Sequence, residues 1–275
     1  MKVWVKALSL LVSLSASVSA FDDLTLEGQF TQGGLIRGQL PGVSKAWFND
    51  TPLPVSADGR FVFGVGRDAP ANHELHLERD GKKVTKSLQF SPRQYDIQRV
   101  NGVAQKYVTP PSDVTERIRR DNQKVRIVRT TQSALPYIFT TPIMPAAGRI
   151  SGVYGSQRIF NGEPRNPHYG LDVAAPTGTP VIAPLSGTVL LADDLYYSGL
   201  TLIIDHGFGV SSTFMHLDSF TVQEGAKVVQ GDQIGTIGAT GRVTGPHLDW
   251  RINWQQERLD PALLPGLAIT LPKAK

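Results

Sequence analysis

The 275-residue chain has no cysteine. Disulfides are therefore excluded, as is a lipid anchor on a bacterial lipoprotein cysteine, and a metal ion would have to be held by nitrogen and oxygen ligands. No H-E-x-x-H segment and no G-x-S-x-G elbow occurs, and the glycines at 207 and 209 form no phosphate-binding loop, so serine or cysteine nucleophile chemistry has no support. There is no internal repeat and no low-complexity tract. Charge of neither sign dominates: 28 Lys and Arg against 24 Asp and Glu give a net +4. So mild a surplus gives no reason to propose nucleic acid and is compatible with ordinary solubility.

What is present begins with an export signal. Lys2 and Lys6 precede an apolar stretch from Ala7 to about Leu14, and Val18-Ser19-Ala20 offers a small-residue cleavage site. The apolar part falls short of the ~20 residues of a membrane span. This pattern predicts a signal peptide over 1–20, a mature chain starting near Phe21, no stable membrane anchor and a periplasmic or secreted location.

From Phe21 to about Val103, short β-forming runs alternate with turn signals such as Asp58-Gly59 and Asp80-Gly81. Asp-Gly pairs favour hairpins because glycine tolerates positive φ. The fold class expected is all-β, with an N-terminal β-sandwich-like domain over 21–105. A connector over 106–140 follows, holding a basic helix at about 112–131. Asp113 and Glu116 resemble an N-terminal capping pair, and Val114, Ile118, Val125 and Val128 share one side. The run of Arg117, Arg119, Arg120, Lys124, Arg126 and Arg129 reads as a solvated face. A second β-rich domain is expected over 141–270.

Four of the six histidines fall in this last part. They occur as His168-Tyr169-Gly170-Leu171-Asp172, Asp205-His206-Gly207, Phe214-Met215-His216-Leu217 and His247-Leu248-Asp249-Trp250. In a strand, side chains an even number of residues apart share a face, so His168 with Asp172, and His247 with Asp249, can converge. Each has a plainer reading too: a lone histidine satisfying a core hydrogen bond, or Asp249 paired with Arg251. His206, His73 and His76 read as structural or surface residues.

Together with Gly155-Ser156-Gln157-Arg158, Gly178-Thr179-Pro180-Val181 and Gly241 to Pro246, these motifs resemble the lysostaphin-like, LytM-type zinc metallopeptidases that cut peptide bonds in peptidoglycan. That family carries H-x-x-x-D, a later lone histidine and a final H-x-H. The resemblance implies a β-rich peptidase domain with an open groove, zinc held by His168 and Asp172, and His216 and His247 as catalytic histidines. The third zinc-binding histidine of the family is replaced by Asp249, whose carboxylate can also bind zinc. Two anionic ligands would bring the centre to about zero charge, weaken it as a Lewis acid and shift the pH optimum upward. The implied function is a zinc endopeptidase acting on peptide stems or cross-links of peptidoglycan. The alternative is a non-catalytic LytM-type protein that binds cell wall or activates an amidase, which makes a cell-wall amidase or divisome component the candidate protein partner.

Overall fold

The computed structural model describes residues 21–100, 111–160, 163–164 and 166–271. The signal peptide expected over 1–20 and the domain boundary expected at 105 lie outside the described residues. The described residues are mostly β-strand with one α-helix. No described helix is long and apolar enough to cross a membrane.

The first seven strands are β1 Thr25–Glu27, β2 Leu35–Gln39, β3 Lys45–Phe48, β4 Thr51–Leu53, β5 Arg60–Gly64, β6 Asn72–Arg79 and β7 Lys82–Gln89. They form two antiparallel sheets, β1-β2-β5 and β4-β3-β6-β7. Asp80 and Gly81, at φ 52° and 72°, make the tight turn between β6 and β7. Here the Asp-Gly signal behaves as expected for a two-residue hairpin with both central residues at positive φ. Asp58-Gly59 does not: it leads the chain from β4 in one sheet into β5 in the other. Gly59 is needed for close approach instead, because a Cβ there would lie 2.0 Å from the carbonyl oxygen of Leu40.

Phe48 of β3 stacks on Phe63 of β5 at 4.5 Å and meets the ring of Trp254 edge-on at 6.1 Å. Each buried phenylalanine contributes about 1.5–3 kcal/mol, so this aromatic line joins the two N-terminal sheets to the C-terminal half in one contiguous core.

Further along come β8 Ile97–Val100, α1 Thr115–Val128, β9 Arg149–Gly152, β10 Gln157–Phe160, β11 Glu163–Pro164, β12 Leu171–Ala174, β13 Pro180–Ile182 and β14 Gly187–Leu195. The remainder are β15 Gly199–Gly207, β16 Val210–Phe220, β17 Lys227–Val228, β18 Gln233–Ile237, β19 His247–Trp254 and β20 Glu257–Leu259. A ten-stranded sheet follows the order β17-β14-β15-β16-β19-β12-β9, with β13, β18 and β20 attached beside it. β8 pairs in parallel with β10, so the chain leaving the N-terminal sheets is stitched to the C-terminal half before the helix begins.

Helix α1 follows a short 3-10 turn at Ser112–Val114, and no side chain caps either start. The expected Asp113/Glu116 capping pair is therefore corrected. Glu116 pairs instead with Arg119, one turn on, at 2.8 Å, and both acids favour the positive end of the helix dipole. Val125 and Val128 pack on Leu191, Leu195 and Ile203. Arg119, Arg120 and Arg126 are exposed as expected, whereas Arg117 reaches Asp194 at 3.0 Å and Lys124 reaches Asp193 at 2.5 Å on β14. Part of the basic run thus docks the helix on the sheet rather than facing water.

His206 is structural. Its ring is fully buried, with Nδ1 donating to the Ser186 carbonyl at 2.8 Å and Nε2 accepting from Ser212 Oγ at 2.7 Å. Burial pushes its pKa down to about 4. The unfolded chain, with an ordinary histidine pKa of about 6.5, binds the proton first, so stability should fall as pH drops through the window from ~6.5 to ~4. The loss is about 3 kcal/mol at 1.36 kcal/mol per pKa unit. Urea unfolding at pH 7 and pH 4 should show this extra loss in the wild type and not in His206→Gln. An identical loss in both proteins would remove His206 from the account.

Candidate metal centre

The site is built where β12 and β19 pair antiparallel, with β16 on the other side of β19. The register places Asp172 directly opposite Asp249. Facing residues in such a pair have Cβ atoms about 4.5–5.5 Å apart, and two like charges there repel. Both carboxylates are buried. Something cationic must lie between or beside them.

His168 does not sit on the strand, which begins only at Leu171. The same-face argument for His168 and Asp172 is therefore corrected, although the two do converge. The backbone of His168 pairs with the preceding segment, its N–H donating to Ser156 at 2.8 Å and its carbonyl accepting from Gly155 at 2.7 Å. This bend delivers the ring to the carboxylates: Nε2 lies 2.8 Å from Asp172 Oδ1 and 3.5 Å from Asp249 Oδ2. Gly170, between them in sequence, has to lack a side chain, because a Cβ there would lie 2.1 Å from Asp249 Oδ1.

Three imidazoles point the same chemistry inward. Nδ1 of His168, His216 and His247 donates to the carbonyls of Val153, Thr240 and Gly245 at 3.1, 2.9 and 2.9 Å respectively. A carbonyl only accepts, so each Nδ1 carries a proton, and in the neutral ring Nε2 keeps the lone pair. The His216 and His247 rings lie 4.9 Å apart, and His247 Nε2 is 4.0 Å from Asp172 Oδ1. His216 reaches this place through a residue conformation that sequence does not reveal, with φ at 64°. Left-handed backbone at a non-glycine residue is costly and concentrates at functional sites. It lies near the irregularity in β16 pairing between Leu217 and Ser219.

The electrostatics follow from these neighbours. Burial depresses the pKa of His168, but Asp172 and Asp249 outweigh it and the net shift is upward. Burial pushes His216 down to about 4. Burial alone would raise Asp249, yet Arg251 and His168 hold it well below the ordinary carboxylate range. Arg251 grips Asp249 with both arms of its guanidinium, Nε to Oδ1 at 2.9 Å and NH2 to Oδ2 at 2.7 Å.

One atom each from His168, Asp172 and Asp249 lie within 4.8 Å of one another. His168 Nε2 is buried and faces both carboxylates. Nitrogen and two carboxylate oxygens are a donor set zinc accepts at about 2.0–2.2 Å, and a buried imidazole nitrogen aimed at two buried carboxylates fits a cation. All five residues singled out in the sequence, His168, Asp172, His216, His247 and Asp249, thus meet. His206 stands apart in the core. His73 is held by Asn49 at 3.0 Å and the Pro70 carbonyl at 2.9 Å, and His76 lies 2.9 Å from Thr85 Oγ1. The salt bridge weighed for Asp249 is present: Arg251 pairs with it, beside His168 and Asp172. The i, i+2 spacing on one strand face was its signal.

The profile of peptidase family M23 matches residues 166–261. Peptidoglycan DD-endopeptidase ShyA of Vibrio cholerae is 39% identical over 105 residues, covering 38% of this chain and 24% of that protein. DD-carboxypeptidase/endopeptidase Mpg of Neisseria meningitidis is 34% identical over 137 residues, covering 49% of this chain and 30% of that protein. The matched part of the chain therefore spans only about a quarter to a third of the length of these curated relatives. A Pseudomonas aeruginosa crystal structure assigned to peptidase M23 aligns with 86% of this chain and 96% of its own, at a TM-score of 0.69 and 26% identity. That similarity extends beyond the segment matched by the family profile.

Proposed function

We propose that the protein is an exported zinc endopeptidase that hydrolyses peptide stems or cross-links of bacterial peptidoglycan, a reading supported by the match of residues 166–261 to peptidase family M23. The observation that carries this reading is the convergence of His168, Asp172 and Asp249 on one buried point, with His168 Nε2 aimed at both carboxylates. These three residues would hold zinc. The ion, when bound, supplies Lewis acidity toward the scissile carbonyl and makes a water acidic enough to attack near neutral pH. His216 and His247 present lone-pair Nε2 atoms beside it, the form in which an imidazole takes a proton from an attacking water. The test is incubation of purified protein with isolated peptidoglycan: new α-amino groups with intact glycan ends support peptide cleavage, and new reducing sugar ends would point to another activity.

Arg251 changes the charge expected at the centre. Zinc with two carboxylates and one imidazole sums to about zero, but the guanidinium on Asp249 restores about one positive charge, so Asp249 and Arg251 together stand in for a neutral histidine. The upward-shifted pH optimum expected from Asp249 alone is accordingly withdrawn. Arg251→Gln should strengthen zinc binding about tenfold or more, because it removes a positive charge beside the ion and frees both Asp249 oxygens. It should also lower the Lewis acidity of the centre and move the pH optimum upward. Chelator competition on wild type and variant, with a pH profile of peptide release, measures this, and weaker zinc binding by Arg251→Gln would refute the pairing.

The second reading, a non-catalytic LytM-type protein that activates an amidase, draws on the same contact, because both oxygens of Asp249 already accept from Arg251. Retained zinc without release of peptides would favour it.

A further inference from the structure

Beside the metal centre, under α1, lies a cavity of about 180 Å³. Its walls carry Arg129 at the end of the helix, Arg242, and Arg251 and Arg258 from the sheet, with His216 and Asp249 also facing it. Against these four guanidinium groups stand two carboxylates, Asp249 and Asp121. Asp249 is gripped on both oxygens by Arg251. Asp121 accepts from the Tyr196 backbone N–H at 2.8 Å and lies 3.7 Å from Arg117. Neither is committed to Arg129. Its Nε is buried and has no hydrogen-bond partner among the described residues.

A buried guanidinium donor without an acceptor costs about 1–3 kcal/mol or more. Like charges add to that cost: burial and the neighbouring Arg258 and Arg251 together lower the Arg129 pKa to about 9. An anion supplies both an acceptor and an offsetting charge, where a neutral acceptor supplies only the first. The cavity would hold about six waters at ~30 Å³ each, room for one carboxylate and a small residue beside it. Guanidinium groups bind carboxylate in two-pronged fashion, with better geometry than a lysine provides.

We infer that this cavity is a subsite for a carboxylate group of the substrate, with Arg129 of the helix as its principal ligand. The inference rests on the reading of the protein as a peptidase, since the cavity opens onto His216 and Asp249. It gives α1 the role of a binding wall. The carboxylate is either the free C-terminus of a peptide chain or an acidic side chain close to the scissile bond.

The test reads binding, which does not require turnover. Isothermal titration of the zinc-loaded mature chain with N-acetylalanine and with its amide should show the acid binding at least tenfold more tightly. Arg129→Gln should remove most of that difference, and Arg129→Lys should keep part of it through the charge. An amide-capped peptide bearing one glutamate side chain identifies the source: Arg129-dependent binding of this peptide assigns an acidic side chain, and its absence assigns the chain terminus. Equal affinity for acid and amide in the wild type would overturn the inference. So would a preference for the acid that Arg129→Gln leaves intact, because the carboxylate would then sit on the metal. Carboxylate binding by a protein that releases nothing from peptidoglycan would leave this subsite standing and remove the peptidase reading.

Discussion

His168→Ala should purify with essentially no zinc, against about one ion per chain in the wild type, and should release no soluble fragments from peptidoglycan. The ring provides the only nitrogen in the three-residue set, and its Nε2 faces both carboxylates. Without it, Asp172 and Asp249 oppose each other across paired strands, with no imidazole nitrogen set between them. Two carboxylates from neighbouring strands suit a hard, oxygen-preferring ion better than zinc. Elemental analysis and circular dichroism on the same sample separate loss of metal from loss of fold. His168→Asn keeps polarity at the buried position if the alanine variant does not fold. A folded variant that still carries a full complement of zinc would show that the ion lies elsewhere.

His216→Ala and His247→Ala should each lower the rate of peptide release by ~10²-fold or more while zinc stays bound, the scale of losing acid–base or oxyanion assistance. Both rings are anchored at Nδ1 to backbone carbonyls, which fixes where Nε2 points. His216, with its pKa near 4, remains neutral at every pH where the enzyme would work, so its contribution should be insensitive to pH between 6 and 8. Loss of zinc from the His247 variant would give that residue a ligand's role instead and transfer the third position from Asp249 to His247.

The five residues that the structure brings together were legible in the chain because spacing on a strand and resemblance to a family both pointed to them. Their assembly was only partly legible. His168 lies off the strand that carries Asp172, and what brings them together is a bend hydrogen-bonded to Gly155 and Ser156, which no periodicity encodes. His216 has a positive φ, a choice made by tertiary packing against local preference. The basic helix shows the limit most clearly. Its charge run gave no reason to prefer docking over solvation, and only the fold sets Lys124 and Arg117 against Asp193 and Asp194 and turns Arg129 inward. Asp80-Gly81 was a dependable signal because it joins neighbouring strands of one sheet, and Asp58-Gly59 was not because its strands belong to different sheets. Local sequence specifies a turn, but not which sheets it connects.

The central claim is that a zinc ion held by His168, Asp172 and Asp249 makes this chain a peptidoglycan peptidase. The most direct test titrates zinc into chelator-stripped, purified mature protein and follows peptide release from isolated peptidoglycan at each step. The account predicts activity that rises with zinc and saturates at about one ion per chain. Full zinc occupancy at that stoichiometry with no peptide bond cut would contradict it.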